Sequence, residues 1–134
     1  MKISKRSVRA LLPRFLMFAG LLAVALAFTG APATSASPDF SMSISPSSQT
    51  GGVNSPVYYT VTVTALNGFT GTVSLSVQVT YNDCLPALKP RSISGSGTSQ
   101  LEVVACRRLG LHAIKVTGTS GSLQHYTEAF LNAQ

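Results

Sequence analysis

Tryptophan is absent from this chain, histidine occurs only twice, and just four side chains are carboxylates: Asp39, Asp83, Glu102 and Glu128. Each scarcity removes a class of chemistry. The four carboxylates fall on four separate segments, so no pair is spaced for the acid–base work of a glycosidase. A metal site built on the two cysteines would need at least two further ligands nearby, and the spacing offers none. No G-x-S-x-G elbow presents a nucleophilic serine. Ser94, Gly95, Ser96 and Gly97 form a Gly-rich stretch, but no helical pattern follows that could aim amide groups at a phosphate. The expectation is no catalytic residue, no metal and no cofactor.

Charge is scarce as well as unevenly placed. The formal +6 of the 134-residue chain points to a nucleic-acid partner until its position is considered. Lys2, Lys5, Arg6, Arg9 and Arg14 all precede residue 15, and beyond it five cations face four anions. The body is nearly neutral, which excludes a nucleic-acid partner. The basic head leads into "FLMFAGLLAVALAF", fourteen apolar residues at 15–28, and then into "TGAPATSAS". These are the parts of a secretory leader, expected to be helical and cleaved after Ala33 or Ala36. The apolar run falls short of the about 20 residues a membrane span needs. No cysteine follows it for lipid attachment, no twin-arginine pair precedes it, and "YTEAFLNAQ" gives no apolar tail for an anchor. The domain plan is therefore a leader at 1–36 and an exported domain at 37–134, with no membrane anchor after cleavage. Its destination is the periplasm or the extracellular space.

What is present is alternation of period two. Phe40, Met42 and Ile44 alternate with polar residues in "DFSMSIS". Val57, Tyr59, Val61, Val63 and Ala65 share one face, as do Val73, Leu75, Val77 and Val79. Leu101, Val103 and Ala105 form a third such face, and His112, Ile114 and Val116 a fourth. His125, Thr127, Ala129, Leu131 and Ala133 form a fifth, and a short strand around Leu88 completes the set. Short alternating runs separated by Gly, Ser, Asn and Pro are the pattern of half-buried antiparallel strands. About seven such strands predict an all-β, Ig-like sandwich of two antiparallel sheets, with Val61, Val63, Val73, Leu75 and Val77 in its core.

The segments "DFSMSISPSSQT", "YTVTVTALNGFTGTVSLSV", "GSGTSQLEV" and "VTGTSGSLQH" resemble the bacterial immunoglobulin-like (fibronectin-III-like) domains of secreted and cell-surface proteins. The resemblance runs from Asp39 almost to the C-terminus, and "LNGFTGTVSLSV" is its most specific part. It implies a non-catalytic spacer or adhesive module. The chain differs from that pattern in carrying one copy, a shorter "DCLPALKPRSI" segment, and two cysteines. The resemblance also implies that Phe69 plugs one end of the sandwich rather than stacking on a sugar. Tyr58 and Tyr126 lie out of phase with the inward faces and are expected to be exposed.

Two cysteines in an exported chain point to one disulfide. The third and fifth predicted strands end at the same pole, just before Cys84 and Cys106, so a bridge between them is expected there. It is not the antibody-type bridge between sheets, which packs on a tryptophan. If Gly118 and Leu123 close the last hairpin, His125 faces Val116, and His112 lies about 13 Å further along, too far to share an ion. Both imidazoles are then margins of the core. Copper-dependent polysaccharide oxygenases need a histidine at the mature N-terminus, and copper–zinc superoxide dismutases need more histidines than this chain has. Arg107 and Arg108 sit on a tight connection between Cys106 and Gly110, at the pole that carries Asp83. They form either a solvated turn with a weak ion pair to Asp83 or an anion-recognising tip.

The reading is an exported, non-catalytic, disulfide-bridged module acting in binding, adhesion or structure at the cell surface. Arg107, Arg108 and Asp83 are its candidate binding residues. A cell-envelope protein or an anionic glycan is the candidate partner. The competing reading is a secreted carbohydrate-active or redox protein on the same sandwich.

Overall fold

Valine and threonine alternate along "VYYTVTVTAL", and branching at Cβ favours the extended backbone these residues adopt. In the computed structural model, which describes residues 33–104 and 106–134, this segment is strand β3, Val57–Leu66. It is flanked by β1 (Asp39–Ser45) and β7 (Gly97–Val104), and β7 in turn pairs with the edge strand β5 (Leu85–Lys89). These four strands make one antiparallel sheet. The second sheet runs β2 (Ser48–Gly51), β9 (Leu123–Ala133), β8 (Gly110–Ser120), β4 (Thr72–Val79), β6 (Ser92–Ser94). All its pairings are antiparallel except the parallel one of β2 with β9. The fold is an Ig-like two-sheet sandwich, and no helix occurs among the described residues. Most of the expected leader, at residues 1–32, lies outside them.

Both inner faces are predominantly apolar. Phe40, Tyr59, Val61, Val63 and Leu101 of the first sheet meet Val73, Ile114, Val116, Ala129 and Leu131 of the second. Burying each large apolar side chain contributes roughly 1.5–3 kcal/mol. The Tyr59 hydroxyl crosses between the sheets and donates to the Phe130 carbonyl at 2.9 Å. Burial pushes that phenol up to about 12. Phe69 is buried against Phe40 with ring centroids 5.4 Å apart, so it does plug one end. Asn67 and Gly68, with φ of 52° and 77°, turn the chain into it as a type I′ pair does.

Three expectations are corrected. There are nine strands rather than about seven, because β2 and β6 escape the pattern. The sequence of β2, SQTG, has no apolar residue, and only pairing with β9 makes it a strand. At three residues, β6 is too short to show a period. The last hairpin closes at Ser120 and Leu123 through Gly121 (φ 58°), which places His125 opposite Gly118 rather than Val116. Gly118 is a glycine for another reason: a Cβ there would lie 2.6 Å from the Met42 sulfur and 2.8 Å from Val73. Finally, Val77 points inward but is only half-buried. Strand β6 covers β4 only from Thr72 to Ser74, so the rest of β4 borders an open cleft facing β5.

Candidate functional site

The connections before β5 and before β8 meet at one pole, where Cys84 and Cys106 are joined in a disulfide. Leu85 pairs with Val104, so the bridge lies just past the last rung of the β5–β7 ladder. It fastens an edge strand that contains Pro86 and would otherwise be held by one ladder alone. The expected bridge is present, and both cysteines are buried.

Beside the bridge stands His112, the second inward residue of β8 and wholly buried. Its Nε2 lies 2.8 Å from the Arg108 carbonyl oxygen. A carbonyl can only accept, so Nε2 carries the proton and donates. Nδ1 therefore faces Cys84 Sγ and Asp83 Oδ1, each at 3.7 Å. The other oxygen of Asp83 accepts from the Arg108 backbone N–H at 2.7 Å. The Arg108 guanidinium lies 4.5 Å from the centre of the Tyr81 ring, which stands perpendicular to the His112 ring with centroids 5.5 Å apart. Arg108 thus ties the pole together through its amide, its carbonyl and its side chain.

Of the two readings of the arginine turn, the one with an ion pair to Asp83 finds no such pair among the described residues; the carboxylate is taken by the Arg108 amide and faces His112. Arg107 is exposed, and among the described residues neither guanidinium is in a salt bridge. A shallow depression of about 320 Å³ opens between Arg107, Asn82, Asp83 and Leu85. At the same pole Leu85, Leu109 and Leu111 are exposed by 65%, 66% and 62% and Tyr81 by 39%, with Leu85 and Leu111 on the outer faces of the two different sheets. The pole is an apolar surface with unpaired positive charge. Sequence reasoning missed the leucines, although Leu111 stands out of phase with the inward face of its own strand.

The remaining candidates lie elsewhere. His125 Nε2 and Asp39 Oδ1 are 2.7 Å apart, and that hydrogen bond holds the Asp39 carboxyl below its ordinary value. In the register of β8, His112 and His125 are six residues apart, about 20 Å. They cannot share an ion, as the sequence spacing implied. Tyr58 is exposed and donates to Glu102 at 3.1 Å, and Tyr126 is exposed beneath the Lys115 ammonium at 4.1 Å.

No protein-family model matches the chain, and no curated protein is similar to it in sequence. Solved structures do match in fold. Domains 4 and 5 of the S-layer protein SbsC superpose with a TM-score of 0.55 at 14% identity, covering 72% of this chain and 53% of that one. This chain therefore spans about half of that two-domain structure. WR4, a C. elegans MSP family member, gives 0.52 at 11% identity, with 69% and 97% covered. A FixG-related protein from Vibrio parahaemolyticus gives 0.52 at 13%, with 72% and 96% covered. At these identities the likeness is one of fold.

Proposed function

We propose that this chain is an exported, non-catalytic module of the bacterial immunoglobulin-like kind, which binds a cell-envelope partner through its disulfide pole. The observation that carries the reading is the exposure of Tyr81, Leu85, Leu109 and Leu111 on the pole that bears the unpaired Arg107 guanidinium, with Leu85 beside that guanidinium. Tyrosine and arginine are enriched among the residues that dominate binding energy, and the three leucines supply apolar area around them. A planar guanidinium holds a carboxylate or sulfate through two parallel hydrogen bonds. The bridge and the Arg108 contacts restrict the loop beforehand, which lowers the ordering cost of association. The similarity to surface-layer domains and the disulfide both support a location outside the cytoplasm. An anionic envelope glycan is the ligand class that the free arginine charge fits best.

Replacing Arg107 and Arg108 together by Ala tests this. Stability is expected to fall by no more than about 1 kcal/mol, the worth of an exposed cation–π contact such as that to Tyr81. Co-sedimentation with purified cell envelopes is expected to drop at least tenfold, and wild-type binding to weaken as salt is raised. Equal sedimentation of wild type and double variant would remove the arginines from the proposal.

A further inference from the structure

Three donor atoms, His112 Nδ1, Asp83 Oδ1 and Cys84 Sγ, converge under the pole. With Nε2–H of His112 committed to the Arg108 carbonyl, its Nδ1 is the ring atom left to face Asp83 Oδ1 and Cys84 Sγ. Asp83 Oδ1 is itself 3.8 Å from Cys84 Sγ, and a sulfur in a disulfide has no proton to donate. The Cys84, Cys106 and His112 donor atoms all lie within 4.8 Å of one another. We propose that reduction of the Cys84–Cys106 bridge converts this cluster into a Zn²⁺ site with Cys84, Cys106, His112 and Asp83 as its four ligands. The proposal stands apart from the binding role of the pole.

The Cys84, His112 and Asp83 donors already stand near the spacing of one face of a zinc tetrahedron. Ordinary Zn–S, Zn–N and Zn–O bond lengths place neighbouring donors at about 3.6 Å for S···N, about 3.5 Å for S···O and about 3.3 Å for N···O. The corresponding separations here are 3.7, 3.8 and 3.7 Å. The two sulfurs are bonded to each other in the oxidised chain. They must part to about 3.8 Å in a tetrahedral site once the bond is reduced. The supporting contacts are in place: the Arg108 carbonyl orients the imidazole, and the Arg108 amide holds the second oxygen of Asp83. Access comes from the cleft of about 520 Å³ bordered by Val77, Tyr81, Pro86 and Lys115, which Cys84 also lines.

The chemistry balances with a dithiol as reductant. Its two S–H groups give two electrons and two protons and close into a disulfide, while the Cys84–Cys106 bond opens into two thiols. Zn²⁺ then displaces both thiol protons to solvent as the thiolates bind. Two thiolates and one carboxylate leave the filled site with a single negative charge, beside Arg107 and Arg108.

The test is optical and uses Co²⁺ alone as a probe for Zn²⁺. The purified protein is reduced without oxygen by a phosphine, then titrated while circular dichroism reports its fold. One Co²⁺ per reduced chain is expected, with tetrahedral d–d bands and thiolate-to-cobalt charge transfer, and none in the oxidised protein. Zn²⁺ should displace the cobalt. Cys84→Ser with Cys106→Ser should abolish the bands, and His112→Ala should weaken Zn²⁺ binding at least tenfold. Asp83→Asn, which keeps an acceptor for the Arg108 amide, should do the same should the histidine variant fail to fold. Absence of charge transfer in the reduced wild type would overturn the site. So would undiminished affinity in Asp83→Asn, or a reduced chain that loses its β-structure and does not regain it with Zn²⁺.

Discussion

Val116→Asp is expected to abolish folding, with the β-sheet signal lost from the far-ultraviolet spectrum at room temperature. Val116 is wholly buried in the middle of β8, between β4 and β9, and among the described residues no Lys or Arg is buried in that core. An unpaired carboxylate there costs several kcal/mol, comparable with the roughly 5–15 kcal/mol that holds a domain together. Its register partner Val77 provides the control, since both point inward on adjacent strands. Val77 borders the open cleft and is half-buried, so a carboxylate at that position keeps contact with water. Val77→Asp should therefore fold, with stability lowered by about 1–2 kcal/mol. A folded Val116→Asp, or two variants equally damaged, would show that the boundary between core and cleft is misplaced.

Removing the bridge ranks second. The cysteines are 22 residues apart, and opening a loop of that size returns about 3 kcal/mol of chain entropy to the unfolded state. In a domain of this size the unfolding midpoint falls by roughly 12–24 °C. Cys84→Ala with Cys106→Ala should show that shift in a thermal melt, and the wild type should show it on reduction in the presence of a chelator. Strand β5 should open first, since it is an edge strand and the bridge closes its only ladder. An unchanged midpoint would mean that β5 is held by its contacts alone.

How far these features could be read in the sequence depended on whether they are local. Faces set by alternation, such as Val57 to Val63 or Ala129 to Ala133, are visible because a period of two repeats along one strand. The disulfide and its pole follow from counting strand ends. Strand β2 is invisible because its partner is β9, about eighty residues away, and SQTG has no pattern of its own. The hairpin register is obscured because a glycine at 118 looks like a turn residue, when Met42 and Val73 are what exclude a side chain there. The cluster around His112 was hidden for the same physical reason. Its members at 83, 84, 106 and 112 come from two connections and a strand in different parts of the chain, and only the folded pole brings their donor atoms together. The exposed leucines could have been noticed from Leu111, outward on a strand whose inward face was already assigned.

The central claim, that the disulfide pole is the binding surface, is tested most directly by backbone hydrogen exchange of the protein with and without purified cell envelopes. The prediction is protection at 81–85 and 106–111, the connections that carry Tyr81, Asp83, Arg107 and Leu109. Protection at 67–71 and 121–122 instead, where the Phe69 plug and the Gly121 turn lie, or no difference at all, would contradict it.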